Sequence, residues 1–114
     1  MKQINHPEFY EVDLPRLERE LGSGERLAEL LACLDRAIEE IKAAPPSGSM
    51  LERTLDSYRK KKFHSVLRPP HGMRTDYRLI YRCDGDLLLI LGVGKRNPGQ
   101  PNDIYTILNS RTPI

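Results

Sequence analysis

Residues 77–96 read Tyr77-Arg78-Leu79-Ile80-Tyr81-Arg82-Cys83-Asp84-Gly85-Asp86-Leu87-Leu88-Leu89-Ile90-Leu91-Gly92-Val93-Gly94-Lys95-Arg96, and they decide the fold. Tyr77, Leu79, Tyr81 and Cys83 alternate with Arg78, Ile80 and Arg82, the period of a strand with two different faces. Asp84-Gly85 is a hairpin signal, because glycine takes the positive φ that a tight turn needs. Leu87 to Val93 is a nearly unbroken apolar run of strand length, the mark of a central strand covered on both faces. Gly94 ends it, and Lys95-Arg96 follow at its C-terminal end.

Upstream, Glu25 to Ala44 is the clearest helix. Leu27, Leu30, Leu31, Leu34, Ile38 and Ile41 recur at three- and four-residue steps, and Glu29, Arg36, Glu39, Glu40 and Lys42 form the outer face. Ser23 is a plausible N-cap, Pro45-Pro46 stops the helix, and Ser47-Gly48-Ser49 continues the loop. Cys33 lies within this helix as a packing residue. Before it, Pro15 starts a short helix to Leu21, since the missing N–H is harmless at a first helical position. Tyr10, Val12 and Leu14 alternate within Phe9 to Leu14, which predicts a short strand there. Met50 to Lys62 fits a helical turn leading into a strand, and Phe63 to Leu67 reads as a strand. Arg68-Pro69-Pro70-His71-Gly72 and Asn97 to Asn102 are loops, and Asp103 to Leu108 reads as a last short strand. The order of elements predicts an α+β fold. The expected architecture is a small antiparallel sheet of about four strands, packed against two N-terminal helices.

The whole chain has 114 residues, enough for one domain at about 150 residues per domain. Hydrophobic residues make up 39%, charged residues 30% and aromatics 6%, an ordinary soluble composition. No run approaches the ~18 apolar residues of a membrane span. Met1 to Pro7 lacks the apolar core of a signal peptide, so a cytoplasmic location is expected. Cys33 and Cys83 fit no metal or redox spacing and read as free thiols in a reducing compartment. His6, His64 and His71 are too scattered for a metal site. There is no phosphate-binding loop, dinucleotide fingerprint or Ser/His/Asp pattern. No metal and no cofactor are implied.

Charge is distributed unevenly. Residues 1–45 carry 6 Lys/Arg against 10 Asp/Glu, and residues 46–114 carry 12 against 6. Such a field steers phosphates toward the second half of the chain. The cations gather in Arg59-Lys60-Lys61-Lys62, in Arg78 and in Lys95-Arg96, with Tyr105 shortly after. Arg78 sits on the strand face opposite Tyr77 and Leu79. A guanidinium amid apolar neighbours costs desolvation unless it serves a purpose.

Tyr77-Arg78-Leu79-Ile80-Tyr81, the Asp84-Gly85-Asp86 turn, Leu87 to Val93, Gly94-Lys95-Arg96 and the later Ile104-Tyr105 resemble the C-terminal half of RelE toxins. These belong to the RelE/ParE superfamily of type II toxin–antitoxin systems. The resemblance implies a single toxin domain over residues 1–114. It implies ribosome-dependent cleavage of mRNA in the 30S A site, by attack of a 2′-OH on the adjacent phosphate to leave a 2′,3′-cyclic phosphate. A cognate antitoxin protein is implied as partner, and no membrane. Arg78 matches the arginine that holds the phosphate, and Arg96 the one that stabilises the transition state. Tyr105 matches the late tyrosine that stacks on a base or takes the 2′-OH proton. Lys61, with Arg59, lies nearest the family's pair of strand lysines after Tyr58, with Lys60 and Lys62 as alternatives, so the implied catalytic set is Arg78, Arg96, Tyr105 and Lys61. Arg59, Lys60, Lys62, His64, Arg68 and Lys95 are implied RNA contacts. The loops from Arg68 to Asp76 and from Arg96 to Tyr105 depart from the RelE pattern, and His64 or His71 could carry a proton instead. Two other functions share the fold: a ParE-like inhibitor of DNA gyrase, and a degenerate module that binds RNA or protein without cleavage.

Overall fold

The computed structural model of the chain describes residues 1–44, 49–50 and 58–111. Strand β1 (Lys2–Asn5) leads into a π-helical segment (Phe9–Asp13), which runs on into α1 (Leu14–Leu21) and then α2 (Glu25–Ala43). The strands β2 (Ser49–Met50), β3 (Arg59–Phe63), β4 (Tyr77–Asp84) and β5 (Leu87–Lys95) follow, and α3 (Ile104–Leu108) comes last. The five strands form one sheet in the order β1-β5-β4-β3-β2. The fold is α+β, as the sequence predicts.

The hairpin forms in the expected register, with Asp84 opposite Leu87 and Tyr77 opposite Lys95, and Gly85 turns at φ 61°. The strand β5 lies between β1 and β4 and is buried from Leu88 to Gly94. Its run is apolar throughout because both faces are covered. Leu17, Leu30, Leu34, Ile38 and Ile41 from the two helices pack on Tyr77, Leu79, Tyr81, Leu88, Ile90 and Val93. On the other face Tyr58, Ile80, Leu91, Ile104 and Leu108 form a smaller cluster. A bulge between Ile80 and Tyr81 of β4 leaves Leu91 without a direct partner, since Ile80 pairs with Gly92 and Tyr81 with Ile90. Leu91 joins the smaller cluster by ordinary alternation, and the extra residue brings Val93, three positions after Ile90, back to the larger one.

Several expectations are corrected. Phe9 to Leu14 is not a strand. Phe9, Asp13 and Leu17 are buried at four-residue spacing, whereas Tyr10 is 58% exposed. The alternation of Tyr10 and Val12 therefore lies on the solvent side of a helix. The first strand is Lys2–Asn5 instead, and it joins β5 in parallel, so the sheet is mixed. Asp103 to Leu108 is not a strand either. Ile104 and Leu108 face the sheet from a short helix, and Asp103 caps it by accepting from the Tyr105 N–H. Ser23 does not cap α2; the N-cap position is Gly24, with no side-chain cap. Of Phe63 to Leu67, only Phe63 is in β3. The helical turn expected after Met50 lies outside the described residues. Both cysteines are free, and burial pushes the Cys33 thiol above its ordinary pKa.

Past Asn5, no strand among the described residues lies beside the next stretch of β5 on the β1 side. Side chains take over. The buried Asp13 carboxylate accepts from the Val93 N–H at 3.1 Å, from Arg111 Nη1 and Nη2 at 2.9 Å each, and from Arg16 Nη1 at 3.0 Å. Arg16 donates to the Val93 carbonyl and Arg111 Nη1 to the Leu91 carbonyl. Arg111 also pairs with Glu8 at 3.2 Å. The π-helical turn widens the chain by one residue and ends at Asp13, where this ladder begins. Glycines in β5 leave the room. A Cβ on Gly92 would meet Arg111 Nη1 and Leu108 Cδ2 at 2.8 Å and Asp13 Oδ2 at 3.0 Å. Gly92→Ala is therefore expected to cost about 1–3 kcal/mol, the usual range for overpacking. Urea unfolding checks it, and an unchanged midpoint would contradict the packing described.

Burial pushes the Tyr77 phenol up to about 12, aided by Glu20 and Asp76 and opposed by Arg26 and Arg16. The folded chain thus holds this proton where the unfolded chain, at about 10, loses it. This contribution to stability is complete below pH 10 and drains away as pH rises toward 12. Denaturation midpoints should begin to fall above pH 10, and less so in Tyr77→Phe; equal slopes in the two proteins would count against it.

Candidate functional site

Cross-strand pairing sorts the cations by face. Residues directly opposite each other in an antiparallel pair share a side of the sheet. Lys62 stands opposite Arg78 and Lys60 opposite Ile80, so both lysines lie on the α3 face. Lys61 stands opposite Leu79 and Arg59 opposite Tyr81, which puts them on the α1–α2 face. Lys61 is pinned there by Glu40 of α2 at 3.0 Å. Lys95 stands opposite Tyr77 and also falls on that side, exposed at the strand end.

Three of the four expected catalytic residues come together on the α3 face. Arg78 donates to the Thr75 carbonyl at 2.7 Å and to the Tyr77 carbonyl at 2.9 Å. Among the described residues no carboxylate pairs with it. The backbone N–H of Arg96 is held by the Asp76 carbonyl at 2.9 Å, and its guanidinium lies 4.8 Å above the Tyr105 ring. Tyr105 sits on the first turn of α3. Burial raises its phenol pKa, against the lowering effect of Arg78 and then Arg96. Its oxygen is buried, with the Arg78 guanidinium beside it. A phenol whose ionisation is suppressed by burial is a hydrogen-bond donor near neutral pH.

Lys61 is the expected residue that the geometry leaves out. Alternation by one residue turns its side chain to the helices and brings Lys62 to the cluster instead. Arg59 and Lys95 are separated from it in the same way. His64 and Arg68 belong to the loop after β3. His64 Nε2 lies 3.0 Å from the Met73 carbonyl, and Arg68 is exposed. Ser65 fastens the loop through Asp76, N at 2.9 Å and Oγ at 2.6 Å. His71 is exposed in the same loop and has no place in the cluster.

Asp103 is the site residue missing from the expected set. Its carboxylate accepts from Arg96 Nη1 at 2.7 Å and from the Asn97 N–H at 2.6 Å, and it is 2% exposed. An acidic N-cap two residues before Tyr105 is the signal that could have found it. Among the described residues no group of three His, Cys, Asp or Glu could hold a metal ion. None of the described helices is long and apolar enough to cross a membrane.

A profile of the ParE toxin of type II toxin–antitoxin systems (parDE) matches residues 12–97. The chain belongs to the ParE toxin family. It is thus a member of the RelE/ParE superfamily, and the family implies a cognate antitoxin. The ParE match takes in α1, α2 and the sheet from β3 to β5, and it stops before α3 and Tyr105. No curated protein gives a significant match. Among solved structures, the conserved hypothetical protein HP0892 from Helicobacter pylori, determined in solution, is similar at 18% identity and a TM-score of 0.44, over 83% of this chain and 93% of that one.

Proposed function

We propose that this ParE-family chain is the toxin of a type II system that cleaves mRNA on the ribosome. The observation that supports the reading is one cationic face. Lys62 and Arg78 are directly opposed on neighbouring strands, and Arg96 and Tyr105 close on them from the end of β5 and from α3. Like charges at opposed positions destabilise a sheet, and a bound anion relieves them. In the reaction the 2′-OH gives its proton to solvent water as its oxygen attacks the adjacent phosphorus. The P–O5′ bond breaks, and the 5′ oxygen leaves as a hydroxyl with a 2′,3′-cyclic phosphate behind it. Arg78 carries a fork suited to two phosphate oxygens, and Arg96 adds charge as the phosphorane gains it. Tyr105 keeps its proton near neutral pH and has one to offer the leaving 5′ oxygen. Lys62 takes the part that the resemblance assigned to Lys61.

A second reading is inhibition of DNA gyrase by protein contact. It is favoured by the extent of the ParE match, which ends at Asn97 and so omits Tyr105. Induced expression of wild type beside Arg96→Ala, with primer extension on a reporter mRNA, separates the two. In-frame cuts and growth arrest in the wild type, both lost in Arg96→Ala, are expected. Arrest without cuts would move the assignment to gyrase.

A further inference from the structure

In the free protein Arg96 is already occupied. Its guanidinium is drawn to the Asp103 carboxylate at 2.7 Å and lies across the Tyr105 ring, 34% exposed. Asp103 is itself held from three sides. One oxygen takes the Arg96 and Asn97 donors, the other takes the Tyr105 N–H at 3.2 Å, and its own carbonyl receives the Ile107 N–H at 3.1 Å. The carboxylate therefore cannot swing away without undoing the start of α3, whereas the guanidinium, a third exposed, can move. A charge-assisted hydrogen bond to a buried carboxylate competes with any other anion for the same fork.

We propose that Asp103 is a positioning residue of the phosphate site, whose carboxylate stows Arg96 over Tyr105 until an incoming phosphodiester displaces it. The inference rests on the RNA-cleaving reading for its natural ligand, but the exchange itself needs only an anion. Stowing has two consequences. It offsets one of the positive charges gathered on this face in the absence of RNA. It also couples binding to geometry: the phosphate that draws Arg96 away uncovers the face of Tyr105 on which the guanidinium lay. That lifts the local cation from the ring at the moment the site is filled.

Inorganic sulfate, a dianion that stays ionised at working pH, is the probe. The full chain is labelled with 13Cζ-tyrosine, the Tyr105 signal is assigned with Tyr105→Phe, and sulfate is titrated into wild type, Asp103→Asn, Asp103→Ser and Asp103→Asn/Arg96→Ala. Serine keeps a good N-cap, so α3 is retained in at least one variant. About tenfold tighter sulfate binding is expected in both single variants, on the scale of one charged hydrogen bond. The double variant should lose that gain. The Tyr105 titration should move to lower pH in Asp103→Asn, because the carboxylate that opposed its ionisation is gone. In wild type the Tyr105 signal should shift as sulfate saturates. Unchanged or weaker binding in both single variants overturns the proposal, as does a gain that survives Arg96→Ala. Should neither variant fold, sulfate saturating wild type with no shift at Tyr105 overturns it equally. No RNA enters the experiment, so its failure leaves the cleavage reading standing, and a wild type that cuts no mRNA leaves the sulfate result standing.

Discussion

Asp13→Ala is expected to destabilise the chain by about 3–5 kcal/mol, the cost of breaking a buried ion pair from one side. The carboxylate is fully buried and is shared by Arg16, Arg111 and the Val93 N–H. Removing it takes the shared acceptor from two buried guanidiniums, leaving Arg111 to Glu8 and Arg16 to Glu20, and leaves one strand N–H unpaired. Neither arginine can be rehydrated without opening the contact between the π-helical segment and β5. At roughly 4 °C per kcal/mol for a domain near this size, the melting temperature should fall by about 12–20 °C. Against the 5–15 kcal/mol of a typical domain, this is the difference between a stable and a marginal protein. Asp13→Asn keeps an acceptor for Val93 and for one arginine and should cost less. A change within about 0.5 kcal/mol, as for an exposed site, would show that the ladder carries no stability.

Arg78→Ala is expected to lower the mRNA cleavage rate by about 10²–10³-fold, the loss typical of one donor that faces charge developing in a transition state. Arg78→Lys should restore only part of it, because an ammonium lacks the planar fork. The lysines give the sharper contrast. Lys62→Ala should weaken cleavage markedly, since Lys62 shares a face with Arg78. Lys61→Ala should change cleavage little and touch stability slightly, since its half-exposed partner Glu40 lies on the helical side. Single-turnover rates on ribosome-bound mRNA check the series. A Lys61→Ala loss as large as that of Lys62→Ala would refute the assignment of faces.

The sheet core and α2 were legible because their signals are local and agree with one another. The Tyr77–Cys83 alternation, the Asp84-Gly85 turn and the Leu87–Val93 run all point to one hairpin, and the helix has a six-residue apolar stripe. The rest depended on distant partners. Lys2–Asn5 is short and polar, and only its pairing with β5 makes it a strand. Tyr10 and Val12 alternate by chance on a helix whose buried side is set by Phe9, Asp13 and Leu17. Ile104, Ile107 and Leu108 fit a helical turn as well as a strand, and the capping chemistry of Asp103 decides between them. Arg78, Arg96 and Tyr105 were reachable through their spacing around the hairpin. Which lysine joins them was not, since a shift of one residue in β3 exchanges the faces of Lys61 and Lys62. Asp103 was hidden because a carboxylate among cations reads as loop polarity until the fold brings it to Arg96.

The central claim is that the face formed by Lys62, Arg78, Arg96 and Tyr105 cuts RNA. The direct test puts purified wild-type protein on ribosomes carrying a 5′-labelled mRNA and, in parallel, on gyrase relaxing and supercoiling a plasmid. Cuts in the ribosome-bound message that end in a 2′,3′-cyclic phosphate are expected, with supercoiling unaffected. Inhibited supercoiling with an intact message would contradict the claim.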